Sequence, residues 1–225
     1  MADLSEYKKK RRFNKTSEPG PEKKTSETGN IFVVQKHRAT QLHYDFRLEA
    51  DGVLKSWAVP KGPSMDPSVK RLAMQVEDHP VDYADFEGVI PEGEYGGGTV
   101  MVWDQGVYAP ENPEGVAKGL AKGDLKFTVL GKKLKGSFVL VRTRDRQWLL
   151  IKHRDEYAID GEEIDKTQPY SAVTKRTLAE IAEDEGGVVK KAGTGDPKQL
   201  PARRGIKRRK KSARKKIWHS NKAAK

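Results

Sequence analysis

Between residues 31 and 153 the chain repeats one pattern: apolar and polar side chains alternate, and turn residues break the alternation every few positions. Period-two alternation puts successive side chains on opposite faces of an extended strand. The runs IFVVQK (31–36), HYDFRLEA (43–50), VLKSWAVP (53–60), RLAMQVE (71–77), GTVMVW (98–103), DLKFTVLG (124–131), GSFVLVRT (136–143) and QWLLIKH (147–153) read as strands. The signals DG, KGP, GGG, LGKK and TRDR bound them as turns. About eight short strands in about 125 residues predict a mainly β fold, either an antiparallel barrel, closed or nearly so, or a sandwich. One short helix is expected near 171–182, with Val173, Leu178 and Ile181 as its apolar stripe.

The pattern stops at both ends, and there the charge changes sign. Residues 186–225 hold 15 Lys/Arg against the single acid Asp196, and residues 1–28 hold 8 against 5. The middle is therefore net acidic although the chain carries +12. Hydrophobic residues make up only 35%, which fits a packed middle with unpacked ends. The expected organisation is a flexible arm (1–29), a β domain with a short helix near its end (30–185) and a disordered basic tail (186–225). In the tail, Lys207, Arg208, Arg209, Lys210, Lys211, Arg214, Lys215 and Lys216 read as a phosphate-binding arm for nucleic acid.

With no cysteine, disulfides and thiolate metal sites are excluded, leaving histidines and carboxylates as possible ligands. The longest apolar runs have four residues, far short of the roughly 18 that a membrane span needs. MADLSEYKKKRR has no apolar stretch after its charges, so a soluble, cytoplasmic, nucleoid-associated protein is expected, with monomer as the default.

Alternation also sorts the chemistry. Leu42, Tyr44, Phe46 and Leu48 point one way, and His43, Asp45, Arg47 and Glu49 the other. His37, at the end of the previous run, can lie beside His43. A polar strand face is usually just solvated, but two His, an Asp and an Arg within eleven residues look like a site on a rigid element. Two His and one carboxylate suit Mn²⁺, Zn²⁺ or Fe²⁺ better than Mg²⁺. On the next segment Leu72, Met74 and Val76 read as the core face. Arg71, Ala73, Gln75 and Glu77 form the other, with His79 in phase. His153 reads as surface and His219 lies in the tail.

A divalent cation with two arginines and a spare imidazole fits a phosphoryl group better than a carbonyl. GxSxG and Walker A motifs are absent, and EGEYGGGT (92–99) reads as a turn or bulge. Hydrolysis by water activated at the cation is the simplest chemistry. A non-catalytic DNA-end-binding protein and a metal oxygenase are the alternatives; the arginines and the basic tail argue against the oxygenase.

KHRATQLHYDFRLEADGVLKSWAVPKGPS (36–64), VEDHPVDYADFEGVIPEGEYGGGTV (76–100) and WLLIKHRDEYA (148–158) closely resemble the 3′-phosphoesterase domain of the bacterial end-joining DNA ligase D, a domain that also occurs as stand-alone proteins. LSEYKKKRRFNKTSEP (4–19) resembles its amino-terminal arm more weakly. The resemblance implies a compact antiparallel β-barrel of about eight strands, with one or two short helices and disordered basic termini. It further implies a manganese-dependent enzyme that removes a 3′-terminal ribonucleoside and then the 3′-phosphate, leaving a 3′-hydroxyl on DNA or RNA-ended primer-templates. By position, His37, His43 and Asp45 match the metal ligands. Arg47 and His79 match residues on the scissile phosphate, with His79 as general acid. Lys61, Arg71 and Tyr83 match further active-site residues, and Gln35, Glu77 and Glu18 match supporting polar positions. Two departures stand out. Arg12 replaces the acidic residue that commonly precedes the Phe of the arm, which puts the phosphate-removal step in question. The lysine motif of a ligase, KxDG, is missing, so a separate ligase acting in trans is expected.

Overall fold

The computed structural model describes residues 2–111 and 115–202; the basic run 207–216 lies outside them. All eight expected strands are present: β1 (Ile31–Arg38), β2 (Leu42–Ala50), β3 (Val53–Val59), β4 (Lys70–Gln75), β6 (Gly98–Pro110), β7 (Asp124–Gly131), β8 (Lys135–Arg144) and β9 (Gln147–Lys152). A ninth, β5 (Gly88–Ile90), is too short to show alternation. The antiparallel order β1-β2-β3-β4-β9-β8-β7-β6 returns to β1, closing an eight-stranded barrel, with β5 paired outside it to the start of β6. Closure removes free strand edges.

β6 is the long strand that makes closure possible. It pairs with β1 along most of its length and with β7 from Gly106 onward. Trp103 is an extra residue where Val34 faces Asp104 and Gln35 faces Val102, a bulge that bends the strand around the corner. Gly106 allows the approach of β7, since a Cβ there would lie 2.1 Å from the Leu130 carbonyl oxygen.

The interior is aromatic. Trp57 meets Trp148 edge-on at 5.9 Å and Tyr44 meets Trp103 at 5.5 Å, with Phe32, Phe46, Phe127 and Phe138 filling the rest. Tyr44, Phe46 and Leu48 face this core as alternation predicts. β4 does not follow its expected facing. Ala73 is the buried core residue and Leu72 is 44% exposed. The inner face of β4 lies against Trp148, paired with Ala73, and Gln75 accepts a hydrogen bond from its indole N–H. At position 73, beside two tryptophans, only a small side chain fits, and Leu72 turns outward.

The ends are more ordered than the charge pattern implies. Helix α1 (Ser5–Lys9) carries Tyr7, fully buried, and Leu4 onto the outside of the barrel. There they join Val33, Leu54, Tyr83 and Phe86 in a second apolar cluster. Burying a side chain the size of Phe is worth about 1.5–3 kcal/mol, which helps an otherwise polar arm to dock. β1 is consequently buried on both faces.

Beyond the barrel lie α2 (Gly115–Lys122), α3 (Ile164–Thr167), α4 (Leu178–Glu185) and α5 (Val189–Gly193). Five short helices and one 3₁₀ turn among the described residues exceed the expected one or two. α4 starts at Leu178 rather than 171, because Thr177 and Glu180 form a capping box. Ser171 turns the preceding segment by accepting from the amides of Val173 and Thr174, and Val173 is exposed. Residues 186–196 are not a free tail. Ala192 joins the core, and the Asp196 carboxylate accepts from the amides of Leu178 and Ala179. None of the described helices is long and apolar enough to cross a membrane.

Candidate active site

The site lies on the outer wall of the barrel, and strand register assembles it. His37 pairs with His43, Gln35 with Asp45, Asp45 with Ala58 and Arg47 with Ser56. Directly opposed residues share a face, so the polar sides of β1, β2 and β3 merge. A 3₁₀ turn (Val81–Asp85), the segment Glu77–His79 after β4, the loop after β5 and the arm wall off the rest. A half-open cavity of about 230 Å³ is lined by Arg11, His37, His43, Asp45, Arg47, Glu77, His79, Tyr83 and Tyr95.

One ligand atom each from His37, His43 and Asp45 lies within 4.8 Å of the others. His37 Nδ1 is 3.8 Å and His43 Nε2 3.7 Å from Asp45 Oδ2. Two bonds of about 2.0–2.2 Å, the usual length to imidazole nitrogen or carboxylate oxygen, can span such gaps. The far nitrogen of each ring is engaged: His37 Nε2 lies 2.8 Å from the Gly96 carbonyl and His43 Nδ1 3.1 Å from that of Gln41. Donating N–H there leaves the inward nitrogens as lone pairs, the outer-shell arrangement of metal-binding histidines. These residues fit a divalent cation. Burial lowers the pKa of His43, which favours the neutral ligand form. Burial alone would raise the Asp45 carboxyl, but Arg47 and both histidines overcome it and hold it well below the usual range.

Arg47 is locked on three sides. It donates to Gln35 Oε1 and Ser56 Oγ, each at 2.8 Å, and lies 3.2 Å from Asp45. Gln35 in turn donates to the carbonyls of Tyr83 and Phe86, fixing the 3₁₀ turn to the barrel. His79 places Nδ1 2.9 Å from the Glu77 carbonyl, while Nε2 faces Arg11 Nη2 at 3.2 Å. Arginine can only donate, so Nε2 accepts and Nδ1 carries the proton. Burial, then Arg47 and Arg11, push the His79 pKa well below 6.5. Tyr83 donates to Glu18 at 2.8 Å, and burial followed by Glu18 pushes its phenol well above 10.

The structure thus gathers His37, His43, Asp45, Arg47, Gln35, Glu77, His79, Tyr83 and Glu18. It does not gather Lys61 or Arg71. Lys61 is exposed in the turn after β3 and is not among the cavity residues. Arg71 shares the face of Ala73, the inner side of β4, and its buried Nε has no hydrogen-bond partner. Glu49 is diverted to a turn, accepting from Ser26 and Ile31. His153 binds Ser137 Oγ at 2.8 Å, outside the cavity.

Lys10, Arg11 and Tyr95 are the residues sequence reasoning missed. A solvated basic run and a glycine-rich turn gave no periodic signal for them. Arg11 is the keystone of the arm: it meets Glu18 at 2.8 Å and Glu77 at 3.3 Å and lies over the Tyr7 ring at 3.8 Å. Arg12, the departure from the expected arm, forms a two-point pair with Glu94. Breaking a buried ion pair by deleting one partner costs about 3–5 kcal/mol. Arg11→Ala is therefore expected to undock the arm while sparing the barrel. Hydrogen exchange over residues 4–18 should accelerate about tenfold or more, with barrel strands unchanged.

Residues 35–142 match the family model described as the DNA Ligase D 3′-phosphoesterase domain. The chain belongs to that family. It is 49% identical over 211 residues to the "Multifunctional non-homologous end joining protein LigD" of Pseudomonas aeruginosa, covering 90% of this chain and 24% of that protein. It is 42% identical over 177 residues to the "Multifunctional non-homologous end joining DNA repair protein LigD" of Mycobacterium tuberculosis, covering 78% and 23%. The chain spans about a quarter of the length of these relatives.

Proposed function

We propose that this chain is a Mn²⁺-dependent 3′-end-healing phosphoesterase of DNA end joining. It would remove a 3′-terminal ribonucleoside and then the 3′-phosphate to leave a 3′-hydroxyl. The observation that carries this reading is a single cavity holding the His37/His43/Asp45 donor set, two buried guanidinium groups and a neutral histidine. His37, His43 and Asp45 would hold the cation, which when bound supplies Lewis-acid charge neutralisation and a more acidic bound water. Arg47, already locked by Gln35 and Ser56, presents its guanidinium to non-bridging phosphate oxygens without reorganising. Arg11 adds a second cation from the arm. His79 Nε2, released from Arg11 as the phosphate takes that guanidinium, first takes up a proton from solvent to become imidazolium and then gives it to the leaving oxygen. Glu18 and Glu77 keep Arg11 in place between turnovers.

The test is a duplex whose primer ends in a ribonucleotide or a 3′-phosphate, incubated with Mn²⁺ beside a His43→Ala control. Shortening by one nucleoside and loss of the phosphate, both absent in the control, are expected. Unchanged ends with DNA still retained in a shift assay would favour a non-catalytic end-binding protein instead.

A DNA ligase requires the 3′-hydroxyl this reaction leaves, so a ligase is the proposed downstream partner. The basic segment 203–225 is proposed to hold the rest of the strand. Because Asp196 caps α4, the informative truncation falls after Ala202. It should weaken DNA binding and flatten its salt dependence, read by titration at two salt concentrations.

A further inference from the structure

Tyr95 stands at the mouth of the cavity, and no step of the proposed reaction uses it. It belongs to neither apolar cluster, and half of its surface is open to solvent (50%). The chain beneath it is nonetheless held firmly. The Glu94 amide donates to the Pro91 carbonyl at 3.2 Å and the Gly97 amide to the Glu94 carbonyl at 3.0 Å. Glycines with positive φ, Gly93 (87°) and Gly96 (78°), allow so tight a turn. Arg12 grips Glu94 from the arm, and the Gly96 carbonyl sits on His37. Lys10 reaches the Tyr95 hydroxyl at 3.3 Å, and its ammonium lies 4.7 Å from the ring centroid. Arg11 approaches the same ring at 5.8 Å.

An open aromatic ring on an anchored turn, flanked by two cations, is suited to a flat π-system carried by an anionic backbone. The cavity volume points the same way. About 230 Å³ is below the roughly 300–1,000 Å³ of sites that engulf a whole organic ligand. It has room for a phosphoryl group and part of a sugar, which leaves the base at the rim. Resting on the phosphoesterase reading, we propose that Tyr95 is the stacking platform for the nucleobase of the nucleoside attached to the reacting phosphate. Tyr95 therefore discriminates base-bearing ends from abasic ones.

The test pairs a binding signal with a rate. A primer-template carrying 2-aminopurine at its 3′-terminal position reports stacking as fluorescence quenching, measured without metal so that no hydrolysis occurs. Quenching is expected with the wild type and Tyr95→Phe, and lost with Tyr95→Ala. With Mn²⁺, Tyr95→Ala should lower kcat/KM on a base-bearing end about tenfold, mainly through KM. An abasic end should be processed equally by both proteins, and Tyr95→Trp should keep the preference for a base. Equal losses on both ends, or quenching by Tyr95→Ala equal to wild type, would overturn the platform. Wild-type quenching lost in Tyr95→Ala, but with no hydrolysis of any end, would sink the phosphoesterase reading and leave the platform standing.

Discussion

Asp45→Asn is expected to lower Mn²⁺ affinity by about 100-fold or more and to remove detectable 3′-end processing, while the barrel stays folded. Asp45 is the one carboxylate in the donor set, placed between two imidazoles on one side and Arg47 on the other. Replacing it with an amide keeps the shape but removes the anion. Disturbing groups that merely orient metal ligands typically costs about 10–100-fold in metal affinity or activity, so losing a charged ligand should reach at least the top of that range. The fold tolerates the change because Arg47 retains Gln35 and Ser56 as acceptors. Calorimetric titration gives the affinity, and thermal denaturation provides an independent reading. A ligand at 100 times its Kd stabilises the native state by about 2.7 kcal/mol. Wild type should therefore melt higher with Mn²⁺ and Asp45→Asn should not. An Asn variant that still gained stability from Mn²⁺ would show that the cation binds elsewhere.

How much of this was legible in the sequence depends on whether a residue's position follows from its own strand. Alternation alone put His43, Asp45 and Arg47 on the face opposite Tyr44 and Phe46, since a regular strand has only two faces. The His37–His43 pairing was also within reach, because a short turn between antiparallel strands fixes register. β4 shows the limit. Its facing depends on Trp57 and Trp148, which belong to other strands, and an Ala was the residue that fitted. Arg71 consequently lies on the inner side of the wall, opposite to the side that alternation predicts. Arg11 was illegible for a different reason. Its role comes from a long-range meeting with Glu77 and His79, whereas locally it is one cation among five in KKKRR. Glu18 and Tyr83, 65 residues apart, likewise meet only once the arm has docked. The net charge was misleading in a related way. In the amino-terminal arm Arg11 is buried against Glu18 and Glu77, while Lys10 and Arg12 are tied to Glu77 and Glu94.

His79→Ala is the second change expected to have a large effect. Turnover should drop by about two to four orders of magnitude, the usual contribution of a positioned general acid, with Mn²⁺ affinity unchanged. The pH dependence makes this specific to proton transfer. In the ligand-free protein, burial followed by the charges of Arg47 and Arg11 holds the His79 pKa well below 6.5. At neutral pH its imidazole is therefore neutral, with its one proton on Nδ1, and Nε2 accepts from Arg11. A general acid must carry the proton, so kcat/KM, which reports free-enzyme ionisations, should fall as pH rises through the neutral range. An anionic phosphate drawn between the two arginines offsets the charges that hold the pKa down. The limb in kcat, which reports the complex, should thus lie at higher pH than the limb in kcat/KM. The residual activity of His79→Ala should lack that limb in both profiles. If the variant kept the wild-type slope, His79 would be a packing residue between Tyr7 and Tyr83, and the proton would have to come from another group.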